Sequence, residues 1–162
     1  MQGMELTMTK KQTNKGQSFM SLNGMGMEIM KQVVTPSMGY MVQQGQRQDL
    51  TGDDLKDTQE SAKLFNEVDD LKNAESFELT GIETFNGEGV YVLKKDTTTS
   101  YYSVASGLKV ATTEAVEAQG QTFELTSTFG DYKEVKGIKI AHETSLPLGP
   151  GMSIDFKASE VK

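Results

Sequence analysis

Apolar and polar residues alternate with a period of two along most of this chain, on both sides of one stretch that repeats instead at helical spacing. A chain of this kind must place most of its residues in half-buried strands. The first block of alternation predicts short strands near Gln2–Lys10, Gln17–Asn23, Met25–Val34, Gly39–Gln44 and Gln46–Leu50. The segments between them, KQTNKGQ, the Asn23–Gly24 pair, TPSMG and Gly45, are turn-forming combinations, so an antiparallel meander follows. From Ser76 onward the alternation returns, with turns at NGEG, DTTT and VKG. Phe123, Leu125 and Phe129 take one strand face there, against Glu124, Thr126 and Thr128 on the other, and Ile154, Phe156 and Ala158 repeat the arrangement.

The middle stretch, LTGDDLKDTQESAKLFNEVDDLKNAE, differs in kind. Thr51 can cap a helix, with Asp53 and Asp54 where the helix dipole favours negative charge. Leu64, Phe65, Val68 and Leu71 recur at helical spacing as a narrow apolar stripe. The expected fold is mainly β with one helical segment, an α+β arrangement. About ten or eleven strands form a strongly curved antiparallel sheet or open β-barrel around a lid helix at about 51–72. At 162 residues a single domain, 1–162, is expected.

Nine of the ten methionines fall within the first 41 residues, whereas the later strands use Val, Ile, Leu, Phe and Tyr. Methionine is unbranched and polarizable; it fills irregular core gaps and also lines surfaces that repack around differing apolar guests. The plain reading is a pliable core beneath the helix. The functional reading is an apolar concavity, because a many-stranded curled sheet has a hollow that side chains, a helix or a ligand must fill, and only one modest helical region is available here. The residues expected to line it are Met4, Leu6, Met8, Met20, Leu22, Met25, Met27 and Ile29, with Leu64 and Val68 from the helix.

Charge and composition remove several function classes. Ten acidic and three basic residues lie between Asp49 and Glu78, while thirteen of each sign elsewhere cancel, so the net charge of -7 is local and no basic stripe for nucleic acid exists. The acidic run reads as a solvated helix face. No apolar run approaches the roughly 20 residues of a membrane-spanning helix. Cysteine is absent, which excludes disulfides and thiolate chemistry. His142 is the single histidine, on a strand face with Ile138 and Ile140, where a neighbour's hydrogen bond accounts for it. No HExxH, HxxEH or GxSxG motif is present, and NGMGME and NEVDDLKNAE match neither a phosphate-binding loop nor a calcium loop. No catalytic residue, metal site or cofactor is assigned, and the chain is expected not to be an enzyme.

YYSVASGLKVATTEA, FELTSTFGDYKEVKGIKIAHET and the terminal SIDFKASEVK resemble the closing strands of LolA-like proteins, the periplasmic lipoprotein-carrier superfamily, particularly its divergent members in Bacteroidetes. The matching residues are Tyr101, Tyr102, Gly107, Leu108, Asp131, Tyr132, Lys133, Val135, Gly137 and Glu160 to Lys162. GMELTMT, GYMVQQGQ and LTGDDLK look like the earlier strands and the lid helix. The resemblance implies a half-barrel with a helical lid over an apolar cavity that shields a lipid or acyl chain without covalent chemistry, in the periplasm or at the outer envelope. Within the group the sequence also resembles a tail domain of secreted zinc peptidases of the insulinase type. That likeness implies a fragment of a longer protein, with the signal peptide and zinc site upstream, and it sets an accessory or interaction domain beside the lipid-binding expectation. The lid-locking arginine of true carriers has no clear counterpart: Arg47 is the sole arginine, just before the helix.

Overall fold

The computed structural model describes residues 6–63, 65–118, 120–149 and 152–161. The chain divides into two compact units, Met1–Lys72 and Asn73–Lys162. Each is built on an open, curved antiparallel meander, so the strands form two sheets rather than one.

The first unit contains β1 (Leu6–Gln12), β2 (Ser18–Gly24), β3 (Met27–Val34), β4 (Gly39–Gln43) and β5 (Gln46–Leu50), paired in that order. Two of its hairpins close on two-residue turns with both residues left-handed, Met25–Gly26 (φ 52° and 78°) and Gln44–Gly45 (φ 51° and 77°), the backbone twist that suits tight hairpins. The first of these departs from expectation. β2 continues through the favourable Asn23–Gly24 pair and turns two residues later.

The helical region is two helices and a 3₁₀ turn: α1 (Gly52–Ser61), α2 (Asn66–Lys72) and Ala74–Ser76. Thr51 occupies the N-cap with extended backbone (φ -139°, ψ 161°), but its side chain makes no capping hydrogen bond. Asp53 and Asp54 lie in the first turn, where the dipole favours them.

The position of α1 follows from one cross-strand row. Gln12, Ser18, Val34, Gly39 and Leu50 are register partners across all five strands. Helix α1 lies along this row. At its start Leu55 packs over Gly39, where an added Cβ would come within 2.9 Å of Leu55 Cδ1. In its middle, Gln59 Nε2 donates to the Thr35 carbonyl at 2.9 Å. Past its end, Gln12 Nε2 donates to the carbonyls of Ala62 and Lys63 at 3.1 and 3.3 Å, satisfying acceptors that the helix terminus leaves open. Val34 and Ala62 are buried as a result, at 1% and 3% exposure.

The second unit holds β6 (Glu78–Phe85), β7 (Glu88–Lys95), β8 (Thr98–Ser103), β9 (Lys109–Ala118), β10 (Gln121–Val135), β11 (Ile138–Gly149) and β12 (Met152–Lys157), again in sequential order. Tight turns at Asn86–Gly87 and Lys136–Gly137 fall where the glycines predict them. The interior of this unit centres on Val90, Val92, Ser103 and Ala111, all at 1% exposure or less. Their register partners place them on one sheet face, where Phe85 stacks on Tyr101 with centroids 5.2 Å apart. As the alternation predicts, Phe123, Leu125, Phe129, Ile154 and Phe156 are half-buried and Glu124 and Thr126 are exposed, whereas Thr128 is half-buried and Ala158, beyond the end of β12, is exposed.

Several residues that carry the family resemblance have local structural duties. Gly107 is left-handed (φ 71°), and its N–H donates to the Ser103 carbonyl at 2.8 Å, tightening the loop before β9. The Tyr132 hydroxyl donates to the Lys109 carbonyl at 2.6 Å, tying β10 to the start of β9. Asp131 is left-handed within β10 and pairs with Lys133 at 2.7 Å. That hydrogen bond holds the Asp131 carboxyl below its usual range.

Candidate functional site

Strand parity and register sort the first sheet into two chemically different faces. The face that carries α1 presents Leu6, Met8, Lys10 and Gln12 from β1 and Ser18, Met20 and Leu22 from β2. Met30, Gln32 and Val34 of β3 and Met41 and Gln43 of β4 continue it. The opposite face carries Phe19, Val33, Tyr40 and most of the charges.

Of the sequence-predicted lining residues, Leu6, Met8, Met20 and Leu22 come together on the helix-bearing face. Met27 pairs with Gly24 and so takes the same face, at the hairpin end where it is 67% exposed, whereas Met25 lies in the turn itself and is 80% exposed. Ile29 is the extra residue of a β-bulge: Leu22 pairs with Met30 and Asn23 with Glu28, leaving Ile29 without a partner on β2. The bulge shifts parity, so Met30, Gln32 and Val34 take the face that simple alternation assigns to Ile29, Lys31 and Val33. Val68 lies on α2 and is exposed. Met4 and Leu64 fall outside the described residues.

The expected helical stripe is therefore open to solvent in the structure. Phe65, Val68 and Leu71 are 40%, 52% and 78% exposed, and α1, not α2, covers the sheet through Leu55 and Ala62. Sequence reading passed over Met30 and Met41, since their place on this face depends on the bulge and on the β3–β4 register. No local signal marks the bulge, and the Met25–Gly26 turn by itself would set Ile29, not Met30, against Leu22.

Two rows of this face lie beyond the one under α1. The nearer comprises Lys10, Met20, Gln32, Met41 and Gln48; the farther comprises Met8, Leu22, Met30, Gln43 and Gln46. Met20, Leu22, Met30, Gln32 and Met41 are only half-buried. At the β4–β5 end a depression of about 290 Å3 is lined by Met41, Gln43, Gln44, Gln46, Arg47 and Gln48. Lys10 is exposed on the edge strand β1, and partial burial lowers the pKa of its ammonium.

Arg47 points to the opposite face. It donates to Asp49 through Nε and Nη2 at 2.9 and 2.7 Å and stacks 4.0 Å above the Tyr40 ring. A guanidinium engaged there does not lock α1.

The second unit has a different depression, of about 480 Å3, whose lining includes Phe85, Glu88, Thr128, Glu143, Asp155 and Lys157. Its charges are used internally. Lys157 pairs with Glu143 at 2.8 Å, which raises the lysine pKa, and the Ser103 hydroxyl donates to Glu88. His142 Nδ1 lies 2.9 Å from the Ile140 carbonyl, the neighbour contact its strand position predicts. Among the described residues no group of His, Asp and Glu side chains is arranged to hold a metal ion.

The exposed hairpin tip supplies a direct test of whether Met25 lines anything. A left-handed backbone costs an ordinary L-residue about 1–2 kcal/mol, and asparagine tolerates it better. Met25→Asn is therefore expected to stabilise the protein by about 1 kcal/mol, raising Tm by about 2–4 °C, with apolar-chain binding unchanged. Thermal unfolding and a ligand titration check both halves.

No protein-family model matches the sequence, and no curated protein matches it. Among solved structures, that of a DUF1329 family protein from Desulfovibrio piger is similar, with a TM-score of 0.52 over 89% of this chain and 70% of that one. Sequence identity is 9%, so the likeness is one of fold.

Proposed function

We propose that the first unit binds a long apolar chain, without catalysis, between the methionine-bearing face of its sheet and the helical segment α1–α2. The observation that carries this reading is a pair of unburied apolar surfaces in one unit. Four methionines, Met8, Met20, Met30 and Met41, stand on the sheet face beyond α1, and Phe65, Val68 and Leu71 stand exposed on the adjoining helical segment. Burying hydrocarbon between such surfaces contributes about 25 cal/mol per Å2, and thioether side chains repack around chains of differing shape. Resemblance to LolA-like carriers and the fold likeness to a DUF1329 family protein support the same reading. They favour a periplasmic or outer-envelope setting in which an acyl chain is shielded from water.

Gently purified protein should release a long-chain lipid on organic extraction, identified by mass spectrometry, and should enhance the fluorescence of an apolar naphthylamine dye. Met20→Asp, which places a carboxylate in the middle of β2 on this face, should abolish the dye signal while the circular dichroism spectrum stays that of the folded protein. A folded wild-type protein that carries no lipid and leaves the dye dark would refute the proposal.

A further inference from the structure

We infer that the bound chain ends in a carboxylate and that Lys10 is the cation that receives it, so that the occupant is a long-chain fatty acid. This rests on the apolar-chain reading above and adds the identity of the head group.

The argument is a census of charge on one sheet face. Among the described strand residues on the face that carries α1, every side chain is apolar or neutral except that of Lys10. On the opposite face Lys31 pairs with Glu28 at 2.9 Å and Arg47 with Asp49 at 2.7 Å, and Lys11 stands exposed. No carboxylate perturbs Lys10; desolvation alone acts on its ammonium. Lys10 is accessible to solvent and has no carboxylate beside it, so an incoming anion gains a charge-assisted contact without first breaking an ion pair.

Geometry extends the charge argument to the rest of the ligand. Lys10 heads the row that continues through Met20, Gln32, Met41 and Gln48, and five strands at the usual spacing make this row about 19 Å long. A cation at one end, two thioethers along the way and neutral amides between them suit an extended chain with one acidic terminus. With one ammonium and otherwise neutral side chains, the row matches the single charge of a carboxylate better than the higher charge of a phosphate monoester.

The test compares palmitate, hexadecanol and hexadecyl phosphate as displacers of the naphthylamine dye from wild-type protein and from Lys10→Met and Lys10→Arg variants. Palmitate is expected to bind wild type about tenfold tighter than hexadecanol, Lys10→Met to lose that tenfold advantage, and Lys10→Arg to keep most of it. Hexadecanol should bind Lys10→Met at least as tightly as wild type, since the new thioether adds apolar surface to the row, which also reports that the variant is folded. Equal palmitate affinity in wild type and Lys10→Met, with hexadecanol still bound, would overturn the carboxylate assignment and leave apolar-chain binding standing. Hexadecyl phosphate binding more tightly than palmitate would also overturn it. Failure of folded wild type to bind any of the three would remove the underlying reading as well.

Discussion

Val92→Asp is expected to unfold the seven-stranded unit. Val92 lies on β7 between its register partners Gly81 on β6 and Tyr101 on β8, and only 1% of its surface is accessible. Val90 and Ala111, also essentially inaccessible, share its face. A carboxylate at this position loses its water and gains no cation, so the penalty exceeds about 4 kcal/mol, a large fraction of the stability of an ordinary domain. Val92→Ala, which only removes two methyl groups, should cost about 2 kcal/mol. Urea denaturation followed by circular dichroism measures both. An aspartate variant as stable as wild type would mean that this face is solvated.

Gly39→Phe carries the second large effect, and it bears on function. An added Cβ at Gly39 already meets Leu55 Cδ1 at 2.9 Å and Leu50 Cδ1 at 3.1 Å, so a ring there must displace α1 from the sheet. Separation would also break the bonds from Gln59 to Thr35 and from Gln12 to Ala62. Overpacking of this kind costs about 1–3 kcal/mol, and apolar-chain binding should be lost with the helix. Gly39→Ala is the informative control. The close atoms are the ends of flexible leucine side chains, and the glycine is not left-handed. Reduced entropy of the unfolded chain, worth about 0.4–1 kcal/mol, then offsets a small steric cost and leaves the variant near wild type. Hydrogen exchange across Gly52–Ser61 reads out whether the helix stays seated. Unchanged protection in Gly39→Phe would show that α1 does not depend on this contact.

Strands and turns of the second unit were legible because their determinants are close in sequence. Phe123, Leu125 and Phe129 alternate with Glu124 and Thr126, and burial follows that alternation. Asn86–Gly87 and Lys136–Gly137 turn where glycine makes a left-handed backbone easy. Gly45 does the same between β4 and β5.

The candidate site was legible only in part. Leu6, Met8, Met20 and Leu22 were grouped by alternation and do share a face. Alternation groups Met25, Met27 and Ile29 with them as well; Met27 does pair onto that face, whereas Met25 falls in the turn and Ile29 is the bulge residue. A period-two pattern reports which residues share a face only as long as no extra residue intervenes, and one bulge exchanges the faces for the rest of the strand. The helical stripe met a similar limit. Phe65, Val68 and Leu71 have the spacing of a buried face, whereas the contact that covers the sheet is made by Leu55 of the earlier, more polar helix α1 and by Ala62 just past its end.

Local pattern is enough to make this a β-rich chain with one acidic helical interval and to place most of its turns, because alternation, left-handed glycines and clustered like charge act over a few residues. The division into two sheets, the choice of Met25–Gly26 over Asn23–Gly24, and the face on which Lys10 stands with Met20 and Met41 came from the folded chain. Those outcomes are set by pairing and coverage between distant segments, above all by α1 lying across the row from Gln12 to Leu50, and a local pattern carries no record of which distant surface will cover it.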